Sequence, residues 1–354
     1  MSPTTPASGP DTAATLTEVV LPGIVEPDGV IVRERRVERP QKGQALVELL
    51  ASGVSFAENA MRRGRYPGQP KFPFVLGYDL VGTVTAVGAE VDAGLVGRRV
   101  AAVVKTGGWS THALLDADDL VPVPESLDPA ELESILLNGI TAWQMLHRKA
   151  RARAGQTVLV HGASGAVGIV LVQLARHAGI RVIGTGSPRS HPTLRQLGAE
   201  PLDYRDPALV QKVRALAPDG VDAIFDNIGG ASFPRSFRQL APGGTLVGYG
   251  VASQLEDSNN MIMTFAGIMS RFALWSALPN HGRSATFYNF WGGKHVSARR
   301  FHDRLAADLG SVSTLLEQGA ITPHVAARIP LREAARALAL AESGTVRGKV
   351  VLIP

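Results

Sequence analysis

The sequence predicts an α/β protein in which a β-rich first portion precedes a doubly wound parallel sheet. Residues 17–135 consist largely of alternating apolar and polar segments broken by proline and glycine, the pattern of short strands. From Ile140 onward, short apolar runs alternate with helical segments, as in consecutive βαβ units. The glycines Gly162, Gly165 and Gly168 lie between the first of these runs and the following helix. With 354 residues, the chain is long enough for two domains, each with its own core.

The β-rich portion is predicted from four segments of β-forming residues. GVIVRERRVERP and QALVELLAS alternate in polarity, and residues 81–87 and 100–104 continue the pattern. The glycines within VLGYDLVGTVTAVG are typical of a highly turned, barrel-like sheet. Helices are predicted at residues 56–63 and 129–137, the second because DPAELES supplies an N-cap and an acidic first turn.

The α/β portion is predicted from the order of its elements. Its strands are predicted at residues 157–160, 181–184, 198–203, 221–225 and 244–248. Helices are predicted between these strands at residues 165–178, 191–197, 207–216 and 232–240, and a further helix is predicted later in the chain at residues 299–318. Ligands of such sheets bind at the carboxyl ends of the strands. Asn227, Gly248 and Tyr249 follow strands directly and are therefore candidate cofactor contacts.

The glycine triplet lies in the segment TVLVHGASGAVGIVLVQLA. In a dinucleotide fold, such glycines allow a tight turn, a close approach of the pyrophosphate and close packing of helix on strand. The phosphates would then meet backbone N–H groups at the positive end of the helix. The candidate cofactor-binding residues of this loop are Gly162, Ser164, Gly165, Ala166, Val167 and Gly168. The alternative interpretation is a turn followed by a helix that merely packs closely on the sheet.

The choice of dinucleotide is predicted from the end of the second strand. NAD sites place an acidic residue there to bind the ribose 2′-hydroxyl. Residues 181–199 contain no Asp or Glu and offer Ser187 and Arg189 instead. A hydroxyl and a guanidinium suit a 2′-phosphate, so NADP(H) is favoured over NAD(H). Alternatively, Arg189 is a solvated loop residue.

Composition limits the chemistry and the location. The chain has no cysteine, which excludes disulfides, thiolate-bound zinc and a thiol nucleophile, and favours a reducing cytoplasm. Residues 1–15 are small and polar, and a flexible leader is expected there. No apolar run reaches the ~18–20 residues that span a bilayer, so no membrane partner is expected. The net charge of +5 raises the question of nucleic acid, but the basic residues are scattered and an anionic cofactor is favoured.

Residues 258–292 concentrate Met, Phe, Trp and Tyr as no other part of the chain does. Two interpretations are open for this segment. It can form core or a subunit interface, or it can line an apolar substrate pocket.

Motifs spread over nearly the whole chain resemble a known family. GVSFAENAMRRGRYP is similar to the motif G-V-N-x-x-D-x-x-x-R-x-G-x-Y-P, and GGWSTHALLDADDL is similar to a G-G-[YW]-[AS]-E segment. FPFVLGYDLVGTVTAVG, LNGITAWQML and VLVHGASGAVG resemble the glycine-rich strand pair, the domain junction and the nucleotide loop. These residues resemble the medium-chain dehydrogenase/reductases, specifically their zinc-independent quinone oxidoreductase branch. TGSPRSHPTLRQLGAEPLDYRD is most similar to the vesicle amine transport protein subgroup.

The resemblance implies an architecture. A GroES-like β-rich catalytic domain is expected from residues 16–132 and 293–354, and an NADP-binding Rossmann domain from residues 133–292. The tail strand GKVVLIP is expected to return to the catalytic domain. Family members usually dimerise, and ATFYNF is the kind of strand that pairs across such an interface.

The resemblance also implies that no metal is bound. Zinc-dependent members place Cys in G-V-C and His in G-H-E, and these positions match Ser55 and Tyr78. Neither residue is a normal zinc ligand. Developing negative charge must then be stabilised by hydrogen bonds. The Asn and Asp of the branch match Ser55 and Glu58, so the hydrogen-bond pattern is altered and Ser55 is a candidate catalytic residue.

Three further site residues are implied by the resemblance. Tyr66 matches a tyrosine that lies beside the nicotinamide in related enoyl reductases, and is either a proton donor or a packing residue on a loop. Thr141 matches a threonine that faces the nicotinamide ring, and Tyr204 matches a tyrosine near the adenosine phosphate.

The function expected from these features is NADPH-dependent reduction of a quinone or an α,β-unsaturated carbonyl compound, without zinc. The expected partners are this small molecule and a second copy of the chain. The alternative function is that of an NADPH-binding interaction, RNA-binding or regulatory protein with little turnover. The altered pair Ser55 and Glu58 and the basic charge keep this alternative open.

Overall fold

The computed structural model describes residues 15–66, 68–252 and 261–354. The chain divides into two compact units. The first comprises Met1–Glu133, Ala327–Val346 and Val350–Pro354, and the second comprises Ser134–Ala326 and Arg347–Lys349. The leader expected at residues 1–15 lies outside the described residues except for Thr15, which begins the first strand.

The described residues contain sixteen strands and nine α-helices. The strands are β1 (Thr15–Leu21), β2 (Ile31–Arg36), β3 (Gln44–Val54), β4 (Phe74–Val75), β5 (Asp79–Val87), β6 (Arg99–Val103), β7 (His112–Asp116), β8 (Val121–Pro122), β9 (Thr157–Val160), β10 (Arg181–Gly186), β11 (Ala199–Asp203), β12 (Val221–Asp226), β13 (Leu240–Gly248), β14 (Ser284–Phe287), β15 (Val325–Pro330) and β16 (Lys349–Ile353). The helices are α1 (Phe56–Arg62), α2 (Pro129–Trp143), α3 (Ala166–His177), α4 (His191–Gln196), α5 (Leu209–Leu216), α6 (Ser232–Phe237), α7 (Met261–Ala277), α8 (Ala298–Glu317) and α9 (Ala334–Glu342).

The first unit is built on antiparallel strands. Its main sheet has the order β15-β16-β3-β5-β6-β8, with β7 also paired to β3, and a smaller sheet has the order β2-β1-β4. Alternating residues of β3, β5 and β6 face one core, which includes Val47, Leu80 and Val100. The last strand pairs with β3 in the register Val350↔Val54, so the expected return of the tail strand is confirmed.

The second unit is a parallel sheet of six strands in the order β11-β10-β9-β12-β13-β14. Its five predicted strands are all present within a few residues of the expected bounds. The apolar run of β9 occupies a central position and is buried, as the continuous hydrophobicity of a parallel strand requires. The order reverses around β9, and this topological switch is where open α/β sheets bind ligands. The α/β fold class with a doubly wound sheet is therefore confirmed.

The division between the units differs from the expected one at its second boundary. The helix α8 belongs to the second unit, although residues 293–326 were expected in the catalytic domain. Asp308 of α8 is buried and accepts hydrogen bonds from Gln144 Nε2 at 2.7 Å and from the guanidinium of Arg148. A Cβ at Gly139 of α2 would lie 2.7 Å from the side chain of Val312, so α8 packs closely on α2. These contacts fix α8 to the second unit.

The aromatic-rich segment contributes to the core of the second unit. Phe272 of α7 is buried, and its ring lies 4.9 Å from that of Phe233. Phe265 packs edge-on against Phe287 of β14 at 5.4 Å. The opposite side of α7 exposes large apolar side chains, Met263, Met269 and Leu274. The aromatic rings named here are therefore core, and residues 258–260 of this segment lie outside the described residues.

Candidate functional site

The glycine loop of the second unit joins β9 to α3. Gly162 has a φ of +64°, a conformation that side-chain-bearing residues rarely adopt. A Cβ at Gly168 would lie 2.4 Å from the carbonyl oxygen of Gly162, so this position also requires glycine. Gly165 has an extended backbone and stands at the N-cap of α3, and its N–H donates to the Gly162 carbonyl at 2.9 Å. The N–H groups at the N-terminus of α3 carry partial positive charge, which stabilises a bound anion.

A buried carboxylate holds the turn after β12. Asp226 is fully buried, and its Oδ1 accepts hydrogen bonds from the N–H groups of Ile228 and Gly229 at 2.9 and 3.2 Å. Its Oδ2 accepts the hydroxyl protons of Ser232 and Ser236, each at 2.7 Å. A buried charge is tolerated when its lone pairs are satisfied in this way. Asp226 therefore fixes the residues that follow β12 at the switch point of the sheet.

His161 connects this carboxylate to the glycine loop. Its Nε2 lies 3.2 Å from Ser236 Oγ, and its Nδ1 lies 3.3 Å from Thr185 Oγ1. Since Ser236 donates its only proton to Asp226, we infer that Nε2 carries the imidazole proton and that Nδ1 accepts from Thr185. Thr185 Oγ1 also accepts the N–H of Gly162 at 3.3 Å. Burial lowers the pKa of His161, although the Asp226 charge acts in the opposite direction, and the ring is held neutral.

Asn227 meets the glycine loop directly. Its Nδ2 would lie 2.9 Å from a Cβ at Gly162, and its own carbonyl would lie 2.7 Å from a Cβ at Gly250. Its Oδ1 is buried and has no hydrogen-bond partner within the described part of the chain. A buried acceptor without a partner is costly and is expected to bind a donor supplied by a ligand. The structure thus brings two predicted site residues, Gly162 and Asn227, together.

The end of β13 serves packing as well as the site. A Cβ at Gly248 would lie 2.9 Å from the ring of Phe233, so this glycine is required by the core. The N–H of Tyr249 donates to the Asp226 carbonyl at 2.9 Å, and its hydroxyl lies 3.5 Å from the His161 carbonyl. Burial and the Asp226 charge both raise the pKa of Tyr249, so this phenol stays protonated.

Thr141 lies on α2, is buried, and is connected to β13 by Tyr288. The Tyr288 N–H donates to the Gly248 carbonyl at 2.7 Å, and its hydroxyl donates to Gln144 Oε1 at 3.1 Å. Burial raises the pKa of Tyr288, while its hydrogen bond with Thr141 lowers it. Tyr288 was within the aromatic-rich segment but was not predicted as a site residue.

Four residues gather where β10 and β11 end. Ser187 follows β10 and Tyr204 follows β11, and the Tyr204 N–H donates to the Gly186 carbonyl at 3.3 Å. Arg189 is exposed on the next turn. Arg347 comes from the other end of the chain, donates to the Arg189 carbonyl, and donates from Nη1 to Thr193 Oγ1 at 2.9 Å. Ser187, Arg189 and Tyr204 were each predicted as cofactor-binding residues, whereas Arg347 was not.

The first unit contains a separate cluster around a buried glutamate. Ser55 is the N-cap of α1 and forms a capping box with Glu58, whose side chain accepts both the N–H and the hydroxyl of Ser55. Glu58 is fully buried, and its Oε1 accepts the N–H of Tyr78 at 2.8 Å. The hydroxyl of Tyr78 lies 2.7 Å from that of Tyr66. Ser55 thus caps a helix, and the two tyrosines form a hydroxyl pair.

The positions expected for zinc ligands hold Ser55 and Tyr78. Within the described residues, no group of three or more His, Asp or Glu side chains could hold a metal ion. No helix within the described ranges is long and apolar enough to cross a bilayer.

These features define a class of protein. A doubly wound sheet with a glycine loop, joined in one chain to an antiparallel β-rich unit, is the framework of a two-domain nucleotide-dependent dehydrogenase. Residues 41–125 match the family model of the alcohol dehydrogenase GroES-like domain, and residues 197–352 match that of zinc-binding dehydrogenase. The chain belongs to the medium-chain dehydrogenase/reductase superfamily, as part of the group that includes quinone oxidoreductases and VAT-1 homologs.

Three similar proteins illustrate this membership. The human synaptic vesicle membrane protein VAT-1 homolog is 30% identical over 89% of this chain and 80% of its own length. The 2-haloacrylate reductase of Burkholderia is 30% identical over 93% of this chain and 96% of its own. The structure of Escherichia coli quinone oxidoreductase complexed with NADPH is 25% identical, with a TM-score of 0.82, over 96% of this chain and all of the other.

Proposed function

We propose that this protein is an NADPH-dependent reductase that transfers a hydride to a quinone or to an α,β-unsaturated carbonyl compound without the help of zinc. The observation that carries this proposal is a nucleotide loop in a chain whose expected zinc-ligand positions hold Ser55 and Tyr78, the second of which pairs its hydroxyl with that of Tyr66. One relative is named 2-haloacrylate reductase and another quinone oxidoreductase. By these names, the first acts on a conjugated, electron-poor double bond and the second on a quinone.

The residues of the second unit fit NADPH. At Gly162 and Gly168 the glycine loop has no side chain that would keep a ligand from the backbone. The buried Oδ1 of Asn227 can accept a hydrogen bond from a ligand. We assign the pyrophosphate to the loop residues 162–168 and the 2′-phosphate to the group after β10 and β11. That group offers Arg189 and Arg347 together with the Ser187 and Tyr204 hydroxyls, and no acidic residue lies in 181–199. Thr141 is assigned to the nicotinamide end.

NADPH supplies a hydride when it is bound, and the protein must control the charge that hydride addition creates on the substrate. An enone that accepts a hydride at its β-carbon becomes an enolate, which requires one proton to give the saturated ketone. We assign this proton to the Tyr66 hydroxyl, which returns to its neutral form by taking a proton from solvent. A quinone becomes a hydroquinone anion, whose oxygen is less basic and can be protonated by water.

The expected dimer and location remain part of this proposal. The strand β14 is the last strand of the six-stranded sheet, and the adjacent helix α7 exposes Met263, Met269 and Leu274. An edge strand beside an apolar helix face favours association of two copies. Sedimentation of the purified protein would show a dimer. The absence of cysteine favours the reducing cytoplasm as its location.

The proton donor gives the sharpest test of this proposal. Tyr66→Phe should lower kcat for a simple 2-enone by about 10- to 10⁴-fold, the range of one acid or oxyanion donor. NADPH binding should change little because the ring remains, and reduction of 1,4-benzoquinone should suffer less. A wild-type protein that oxidises NADPH with neither compound would exclude the proposed activity. Full enone activity of Tyr66→Phe would show that the proton has another source.

A further inference from the structure

A cavity of about 330 Å³ lies at the amino ends of β12 and β13 in the second unit. Its lining includes Gly220, which precedes β12, and Leu240, the first residue of β13. The glycine loop and Asn227 follow the carboxyl ends of β9 and β12, so they lie at the opposite edge of the same parallel sheet. The volume is at the lower end of the range for pockets that bind small molecules. This cavity is therefore separate from the residues to which we assign NADPH.

The lining of this cavity is positively charged. Its ionisable residues are three arginines and one aspartate, which together leave a net charge of +2: Arg214, Arg238, Arg283 and Asp219. Within the part of the chain that the structure describes, none of the three arginines forms an ion pair. Like charges gathered at one place repel each other, and an anion bound among them would remove this repulsion. The charge of the lining thus favours an anionic ligand.

Arg283, which precedes β14, shows the strongest requirement for such a ligand. It is half-buried, its Nε is buried without a hydrogen-bond partner, and its guanidinium donates to no residue that the structure describes. Arg62, Arg99 and Arg304 also bury an unpartnered Nε, but each donates from another guanidinium nitrogen to a carboxylate or a carbonyl oxygen. A guanidinium partly withdrawn from water without an acceptor is costly. We therefore expect a bound acceptor beside Arg283.

The amide of Gln239 adds a hydrogen-bond acceptor to the same cavity. Its Nε2 donates to the Arg235 carbonyl at 3.2 Å, and its backbone carbonyl accepts the N–H of Val221 at 3.0 Å. Its Oε1 is buried and has no partner among the described residues. Because an amide oxygen accepts and cannot donate, the group that satisfies it must be a donor. A ligand that fits both Gln239 and the arginines therefore carries a donor such as a hydroxyl beside its negative charge.

Two of the three arginines have a second explanation. Arg214 lies in the last turn of α5 and Arg238 is the C-cap of α6, and positive charge near a helix C-terminus is stabilising without any ligand. This explanation does not apply to Arg283, which lies before a strand, or to the buried Oε1 of Gln239. Arg283 and Gln239 are therefore the residues that indicate a ligand.

We propose that this cavity binds a phosphate monoester that also carries a hydroxyl group, at a site separate from that of NADPH. A phosphate monoester carries about −1.5 to −2 charges at pH 7, which balances the charge of the lining, whereas a single carboxylate balances half of it. A guanidinium can bind two phosphate oxygens at once. The phosphate binds beside Arg283, and the hydroxyl donates to Gln239 Oε1. This binding involves no turnover and is independent of the reductase activity.

Calorimetric titration of the full chain with glycerol 3-phosphate, inorganic phosphate and glycerol tests this site. Both phosphates should bind, glycerol should not, and saturation with NADPH should leave the affinity for glycerol 3-phosphate unchanged. Arg283→Gln should weaken the binding of both phosphates by about tenfold or more, the effect of one hydrogen bond between charged groups. Arg299→Gln is the matched control, because Arg299 is an exposed arginine of α8 outside the cavity. It should leave both affinities unchanged.

Gln239→Leu tests the hydroxyl of the ligand separately. It should weaken the binding of glycerol 3-phosphate by about 2- to 10-fold, the value of one neutral hydrogen bond, and leave the binding of inorganic phosphate unchanged. Equal effects on the two phosphates would contradict the assignment of the hydroxyl to Gln239. If Arg283→Gln does not fold, Arg214→Gln replaces it, since Arg214 is exposed, and should also weaken both phosphates.

Three results would overturn the phosphate site itself. They are the absence of binding of either phosphate to the wild type, displacement of glycerol 3-phosphate by NADPH, and equal weakening by Arg283→Gln and Arg299→Gln. A single-stranded RNA that binds the wild type but not Arg283→Gln, while glycerol 3-phosphate binds neither protein, would replace the small ligand by a nucleic acid. All these titrations give their answer even in a protein that oxidises no NADPH.

Discussion

Gly162 and Gly168 approach each other so closely that a Cβ on residue 168 would lie 2.4 Å from the Gly162 carbonyl oxygen. Two backbone atoms of Ala163 would lie within 2.8 Å of the same Cβ, so no side-chain rotation relieves the clash. The third glycine of the loop is thus required by the packing of α3 on the turn after β9. Any larger residue must displace the turn on which we place the cofactor phosphates.

Gly168→Ala should therefore weaken NADPH binding by at least about tenfold and lower the thermal unfolding midpoint. Gly310→Ala is the control, since Gly310 lies in the exposed part of α8 and a Cβ there would meet nothing within 4 Å. That substitution should leave NADPH binding unchanged and stabilise the protein slightly. Titration of tryptophan fluorescence with NADPH gives both affinities. Equal affinities of the two variants would show that the loop does not hold the cofactor.

The glycine loop could be predicted because both of its signals are local. A buried parallel strand is an unbroken apolar run, and the glycines that follow β9 act within seven residues of one another. The length of α2 could not be predicted in this way. The helix was predicted to end at residue 137 but continues to Trp143, and Gly139 within it packs closely against Val312 of α8. Contacts between segments so distant in sequence leave no periodic signal.

The same limit applies to the site. Ser187 was predicted from its place at the end of the second strand, and Tyr204 was predicted from the resemblance to the family. Arg347 was not, because it reaches the Arg189 carbonyl from a position 158 residues later in the chain. The role of the Asp226 carboxylate was also not predicted. Ser232 and Ser236 donate to it because α6 places them one turn apart, and they form no recognisable motif in the sequence.

The preference for NADPH over NADH should depend on Arg189, the arginine that follows β10. We expect NADPH to bind at least about tenfold tighter than NADH, because a charge-assisted phosphate contact contributes ~1.5–3 kcal/mol. Arg189→Ala should remove much of this preference and leave NADH binding unchanged. Arg195 is an exposed arginine of α4, and Arg195→Ala is the control, which should retain the preference for NADPH. Equal wild-type affinities for the two cofactors would contradict the assignment.

Metal removal gives a separate prediction. Because Ser55 and Tyr78 occupy the expected ligand positions, prolonged dialysis against a chelator should leave NADPH oxidation unchanged. Elemental analysis of the purified protein should find no stoichiometric zinc. One tightly bound zinc per chain, lost together with activity, would refute a zinc-free reaction.

The buried His161 predicts a dependence of stability on pH. Its pKa is lowered in the folded protein, so below its ordinary value of 6.5 the unfolded chain binds a proton that the folded chain does not. Stability should fall as the pH drops from about 6.5, by at most about 1.4 kcal/mol per pH unit from this group. Unfolding midpoints of the wild type, His161→Gln and the exposed control His177→Gln should be compared between pH 5 and 7.5. Only His161→Gln should lose part of the acid dependence, and parallel curves for all three would show that His161 is not the group responsible.

The activity proposed for this chain is hydride transfer from NADPH to a conjugated acceptor. The most direct measurement uses NADPH with deuterium at both C4 positions and a simple 2-enone, followed by mass spectrometry and NMR of the product. We predict a saturated ketone with one deuterium at its β-carbon and a solvent-derived proton at its α-carbon. A product with no deuterium, or no product while NADPH remains bound, would show that this protein does not transfer a hydride to the enone.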